Sequence, residues 1–291
     1  MVKSLLKRAV VVAVLLVTAL PAQFVRAASL DSSINTLIDN VNSADSVDFI
    51  ASADVTVAND SLDNPVSVHA DVHGIADGEG TGTFDMHFWS TDEKGVFTKT
   101  GASLIVTSSA IYVSQDGMDW YFVKRDSANV PSAVDARQGK EELQSFMKEL
   151  FAAGVIEYRF DTVEFISKKM TMRYSYTINT DRLVDYLVAQ SLISSDKADE
   201  ARSTLSKNVT IGGSFWVDAT NMLPVMLTFN VNVDTSATSY VHVSTSVLFN
   251  SFNQPVTVTA PKNAQDIADQ YTRQTSHQIK TMPHGTTSFY P

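Results

Sequence analysis

Apolar and polar residues change their period along this chain, and the changes divide it into elements. After an opening apolar run, Leu30, Ile34, Leu37, Ile38 and Val41 recur at spacings of three and four. That is the helical period, with Ser29 or Asp31 placed to cap it, and it predicts a helix within 30–47. The period then falls to two. Phe49, Ala51, Ala53, Val55 and Val57 alternate with Ile50, Ser52, Asp54 and Thr56, and Val66, Val68, Ala70 and Val72 alternate with Ser67, His69, Asp71 and His73. These are half-buried strands. Phe84, Met86 and Phe88 form the inner face of a third, and shorter strands follow at 96–100, 104–107, 111–114 and 120–123, with turns at Ser108-Ser109 and Asp116-Gly117.

Residues 126–139 are polar and contain a proline, which suits a crossing loop. Leu143, Phe146, Met147, Leu150 and Phe151 then fall at i, i+3, i+4, i+7 and i+8, a helix stripe that Gly154 ends. Strands are predicted at 155–167 and 170–180, turning at Lys168-Lys169. Leu183, Val184, Leu187 and Val188 mark a helix from Asp181, and Ser194-Ser195-Asp196 cap further turns to Leu205. Strands return at 209–217, 223–233 and 240–249, a short helix is expected over 263–271, and 272–291 reads as a flexible tail. Both halves run helix, then hairpins.

About ten strands with one apolar face each, together with about three helices carrying apolar stripes, must cover one another. The predicted class is therefore α+β: a strongly curved antiparallel sheet holding the helices on its concave side. Where helices do not fill the concavity, an apolar cavity remains.

The first residues carry Lys3, Lys7 and Arg8, an apolar segment of about 12 residues over 9–20, and Val25-Arg26-Ala27. This is the plan of a secretory signal cut between Ala27 and Ala28, its core being short of the roughly 20 residues that span a bilayer. The expected organisation is a signal at 1–27, one domain over 28–271 and the tail. An exported, periplasmic or extracellular protein, soluble after cleavage, follows. Cleavage leaves 18 basic against 32 acidic residues. Such a surface repels phosphate backbones, so nucleic acid is excluded as a partner. The chain has no cysteine, hence no disulfide, no thiolate metal site and no lipid anchor on an N-terminal cysteine.

Candidate chemistry is sparse. His69, Asp71 and His73 share one strand face, a spacing a divalent metal could use, but a polar outer face needs no ligand. There is no Gly-x-Ser-x-Gly elbow and no phosphate-cradling glycine loop. Strict alternation sets Asp161 and Glu164 on opposite faces, which rules out an acid and base pair. Trp89, Trp120 and Trp216 with Tyr112 and Tyr121 read as strand packing. Neither an enzyme nor a cofactor is indicated.

Two passages are more specific: Phe215-Trp216-Val217-Asp218-Ala219-Thr220-Asn221-Met222-Leu223-Pro224-Val225, and Phe252-Asn253-Gln254-Pro255-Val256-Thr257-Val258-Thr259-Ala260-Pro261 followed by Asn263-Ala264-Gln265-Asp266. With Ile111-Tyr112-Val113 leading through Asp116-Gly117 to Trp120-Tyr121, the chain resembles the exported lipid-carrier superfamily that includes LolA and the LppX/LprG lipoproteins, over roughly 30–271. The resemblance implies a half-barrel of about ten or eleven antiparallel strands with helices across its mouth, carrying a lipid or an acylated protein, with transient membrane contact. Tethered relatives use a lipidated cysteine, which is missing here, so an untethered carrier is implied. No family binding residue transfers by motif. Periodicity instead nominates cavity-lining candidates: Leu143, Phe146, Met147 and Leu150 on one helix, Leu183 and Leu187 on the next, and Phe84, Met86, Phe88 and Phe229 on strands. The alternative is an envelope interaction or scaffold protein of the same fold with a packed cavity. Oligomeric state is left open.

Overall fold

Eleven alternating segments become strands of one sheet, and their order explains the two-half layout of the sequence. The computed structural model describes residues 40, 43–115, 117–125, 149–150, 152–236 and 238–267. The strands are β1 (Ser46–Ala58), β2 (Val66–Asp77), β3 (Gly82–Thr91), β4 (Phe97–Val106), β5 (Ala110–Ser114), β6 (Tyr121–Lys124), β7 (Ile156–Ile166), β8 (Lys169–Ile178), β9 (Val209–Asp218), β10 (Pro224–Asp234), β11 (Tyr240–Phe252) and the two-residue β12 (Gln265–Asp266). Two helices, α1 (Thr180–Ala189) and α2 (Ala198–Asn208), joined through a 3-10 turn at Ser195–Lys197, lie between β8 and β9.

The sheet order is β12-β6-β5-β4-β3-β2-β1-β11-β10-β9-β8-β7. The strands start in the middle with β1, meander out to β6, beside which β12 later adds, resume at the opposite edge with β7, and meander back until β11 pairs with β1. The polar segment 126–139, predicted to cross, lies outside the described residues. Every pairing is antiparallel except β12 on β6. Register shifts at Asp48/Phe49, Phe160/Thr162 and Pro224/Met226 mark irregularities that bend and twist strands, and the sheet is large and curved. Pro224, which has no N–H to donate, sits at one of them.

Burial on one face follows from the register. Phe49, Ala51, Ala53, Val72, Leu227, Val247 and Phe249 form the main core, with Phe84, Met86, Tyr176 and Phe215 packed against it. Gly74 is required there, because a Cβ would lie 2.6 Å from the Phe49 ring and 2.8 Å from the Phe84 ring. Those two rings meet over it with centroids 6.4 Å apart. A second cluster joins Leu150, Val155, Ile156 and Tyr186, with Leu183 and Leu187 against it. Gly154 at φ +67 ends the helix before β7. The Val155 N–H donates to the Leu150 carbonyl at 2.8 Å, the six-to-one bond of a glycine-terminated helix end, and both side chains join the same cluster. Asn179 caps α1 by accepting from the Arg182 N–H at 3.1 Å.

Three local expectations change. The strands read at 96–100 and 104–107 are one strand, β4, running through Gly101, because pairing with β3 on one side is continuous. Ser46 and Val47, at the end of the predicted first helix, open β1. Gln265 and Asp266, expected in a helix, pair as a strand beside Tyr121 and Phe122. The predicted helix over 30–41 and the signal region lie outside the described residues except for Asn40, as does most of the Leu143 stripe. Among the described residues no helix is long and apolar enough to cross a membrane.

Candidate functional site

The register places the inner side chains in rows that run across the sheet. One row is Met86, Val72, Ala51, Val247, Leu227, Phe215, Tyr174 and Phe160. The next is Phe88, Ala70, Ala53, Thr245, Phe229, Gly213, Tyr176 and Tyr158. Beyond it Val68, Val55, Val243, Val231 and Ile211 form a third, and Val66, Val57, Val241, Val233 and Val209 a fourth. The inner face is thus apolar over nearly its whole length. Its first rows are largely buried, whereas Val57, Val66, Val231, Val233, Val241 and Val243 are only partly covered. A long apolar face that exceeds its cover is the site's defining geometry.

Small side chains, Ala70, Ala53 and Thr245, occupy the row between Phe88 and Phe229, and Gly213 lies between Phe229 and Tyr176. The Thr245 hydroxyl is buried at 2% residue exposure and has no hydrogen-bond partner among the described residues. Valine would have the same shape without that cost, so the hydroxyl is an unused polar handle in an apolar row. Tyr176 follows in the row, donating its hydroxyl to the Thr228 carbonyl at 2.9 Å. Burial raises its phenol pKa well above the ordinary value.

The predicted lining residues divide. Phe84 and Met86 pack on the main core, and Phe88 and Phe229 flank the small-residue row on the same face. Leu150, Leu183 and Leu187 come together in one cluster with Ile156 and Ile178, so α1 packs beside the start of β7 and the end of β8. Leu143, Phe146 and Met147 lie outside the described residues. What periodicity missed is the valine-rich outer half of the same face. Its signal was present in the repeated Val-x-Val pattern, which reads equally well as plain strand packing.

The opposite face carries the polar alternates. His69 Nδ1 is 2.7 Å from Asp54 and its Nε2 3.0 Å from Asp71, while His73 Nε2 is 3.2 Å from Asp48. Partial burial is the largest single influence on His69 and pushes its pKa down. The hydrogen bonds and charges of Asp54 and Asp71 together outweigh it, and the net shift is upward. The histidines are spoken for by separate carboxylates, and among the described residues no group of three or more His, Asp or Glu side chains forms a metal site. The indoles of Trp89 and Trp216 do not converge: Trp89 lies against His69, His87 and Lys99, and Trp216 under Arg173.

One side-chain placement is corrected. The register shift around Asp161 breaks the alternation, and Asp161 and Glu164 both point to the outer face. Asp161 pairs with Arg159 at 3.3 Å and Arg173 at 3.6 Å, and Glu164 accepts from the Trp216 indole N–H. Each carboxylate is engaged by structural partners.

No family model matches the chain. No curated protein matches it either. Solved structures with a similar fold include lipoprotein LppX of Mycobacterium tuberculosis, at 13% identity and a TM-score of 0.39, over 78% of this chain and 97% of that one. A DUF1329 family protein from Desulfovibrio piger is similar at 8% identity and a TM-score of 0.21, over 78% and 92%. A putative outer membrane lipoprotein-sorting protein domain from Vibrio parahaemolyticus is similar at 11% identity and a TM-score of 0.18, over 72% and 87%.

Proposed function

We propose that this is an exported, untethered, non-catalytic carrier that holds a lipid or the acyl chains of a lipidated partner. The ligand lies against the inner face of a half-barrel, with the helices, including those predicted within 30–47 and along the stripe from Leu143 to Phe151, closing over it. The observation that carries the reading is the inner face itself. Its rows run apolar from Phe84 and Met86 through Phe88 and Phe229 to Val57 and Val241, and its outer half is only partly covered. Acyl chains need this kind of surface and no chemistry. The unpartnered Thr245 hydroxyl offers one hydrogen bond to a ligand's polar group.

Protein purified from its own host, extracted with organic solvent and analysed by mass spectrometry, is expected to yield a stoichiometric lipid. Phe229→Asp is expected to lose that lipid while retaining the strand signature in circular dichroism. Protein that carries no lipid, and takes up none from vesicles, sinks the carrier reading and leaves the packed scaffold in its place. The export step is checked separately by N-terminal sequencing, with Ala28 as the expected first residue.

A further inference from the structure

The hairpin β7–β8 departs from the rest of the inner face. Phe160, Val163, Phe165 and Met170 continue the apolar face to the sheet's outer edge, yet they are 54%, 51%, 75% and 47% exposed. They lie on one side of the hairpin: Phe165 is opposite Met170, Val163 opposite Met172, and Phe160 packs edge-on against Tyr174 at 5.7 Å. The turn is tight, Ile166 pairing with Lys169 across Ser167 and Lys168, both of which hold positive φ. Lys168 and Lys169 make no ion pair among the described residues. The hairpin's acids, by contrast, are occupied: Asp161 by Arg159 and Arg173, Glu164 by Trp216, and Glu157 by Asn179 at 2.9 Å. In a chain of net charge −10, this tip combines exposed apolar side chains with two ammonium groups that no carboxylate among the described residues neutralises.

We infer that the β7–β8 tip is a membrane-docking element that seats Phe165 and Met170 in the interface of an anionic bilayer, with Lys168 and Lys169 at the headgroups. Charge selects the occupant. The two lysines complement anionic lipid, and their alkyl stems can lie along the apolar strip while the ammonium stays in the headgroup layer. Size points the same way. A whole aromatic side chain buries about 150–250 Å², so four half-exposed side chains offer on the order of 500 Å², short of the ~800 Å² per partner in a stable protein interface. A bilayer needs no matching partner surface. The inference stands apart from lipid carriage, since vesicle contact and lipid retention are separate measurements.

The absence of cysteine makes the test clean, because one introduced thiol is the only labelling site. Full-length protein as processed by its host, carrying Lys168→Cys with an environment-sensitive fluorophore, is mixed with phosphatidylglycerol-containing vesicles. The emission is expected to shift to the blue and rise. The same label at Asp63→Cys, in the loop at the opposite end of β1, is expected to stay unchanged. In flotation assays, removing both charges in Lys168→Ala/Lys169→Ala should weaken binding to anionic vesicles roughly thirtyfold. Phe165→Ser/Met170→Ser should abolish flotation at unchanged thermal stability. An unresponsive label at position 168, or flotation of Phe165→Ser/Met170→Ser equal to the parent's, overturns the inference. So does a parent dimer that these substitutions convert to monomer, which would make the strip a contact between two copies.

Discussion

β1 and β7 both read as long strands, β1 apolar at every second position and β7 likewise on either side of Asp161-Thr162, and they end in opposite environments. Phe49, Ala51, Ala53 and Val55 are all buried, while Phe160, Val163 and Phe165 stand more than half exposed. β1 has β2 on one side and β11 on the other, and its row neighbours Val72, Val247 and Leu227 share one core. β7 has β8 alone and borders open edge. Alternation therefore sets which face a side chain takes, and position in the sheet decides whether anything covers it.

The largest test of that contrast is a matched pair of truncations. Phe49→Ala should destabilise by about 3–5 kcal/mol, as removing a core aromatic does, whereas Phe165→Ala should stay within about 0.5 kcal/mol. Urea unfolding of both variants reads the difference, and equal losses would mean that the β7 strip is covered after all. Next, Gly74→Val should cost about 1–3 kcal/mol by forcing the Phe49 and Phe84 rings apart. An unchanged unfolding midpoint would show that the core beside β1 is looser than its burial implies.

A smaller gain is expected at the edge. Ser167 and Lys168 both occupy the left-handed region, so Ser167→Asn/Lys168→Gly should raise stability by about 1 kcal/mol, measured by thermal unfolding. The smallest effect lies on the outer face of β1 and β2. His69 has a raised pKa, so its contribution to stability is fully present below its unfolded value near 6.5 and is lost as pH rises through the folded value. Asp54→Asn/Asp71→Asn leaves burial as the remaining influence and should bring the His69 pKa below its ordinary value in an NMR titration. A pKa that stayed high would place the shift outside this carboxylate pair.

The face and the packing neighbours of several candidate residues were legible. Phe84, Met86, Phe88 and Phe229 take the apolar face that their period of two assigns, and Leu150, Leu183 and Leu187 meet as their helical spacing suggests. The irregularity at Asp161 carries no glycine or proline, and its one trace in the sequence is the apolar phase moving by one residue between Phe160 and Val163. The extra residue is held by contacts with Arg159, Arg173 and Ser175, and Arg173 and Ser175 lie on the neighbouring strand. Nor could a single strand's pattern separate the covered Phe49 from the uncovered Phe165.

The sequence by itself determined what is encoded within a few residues: eleven of the strands, the Gly154 helix end, the helical pair before β9, and the inner and outer faces of nearly every strand. Those follow from backbone sterics and side-chain period, which are local. Only the tertiary structure decided that β1 and β11 form the seam, that β7 is an edge, that β4 continues through Gly101, and that Gln265–Asp266 pairs with β6. These depend on which distant segment supplies the hydrogen bonds and the covering surface, and a local pattern records the need for a partner without saying which one arrives.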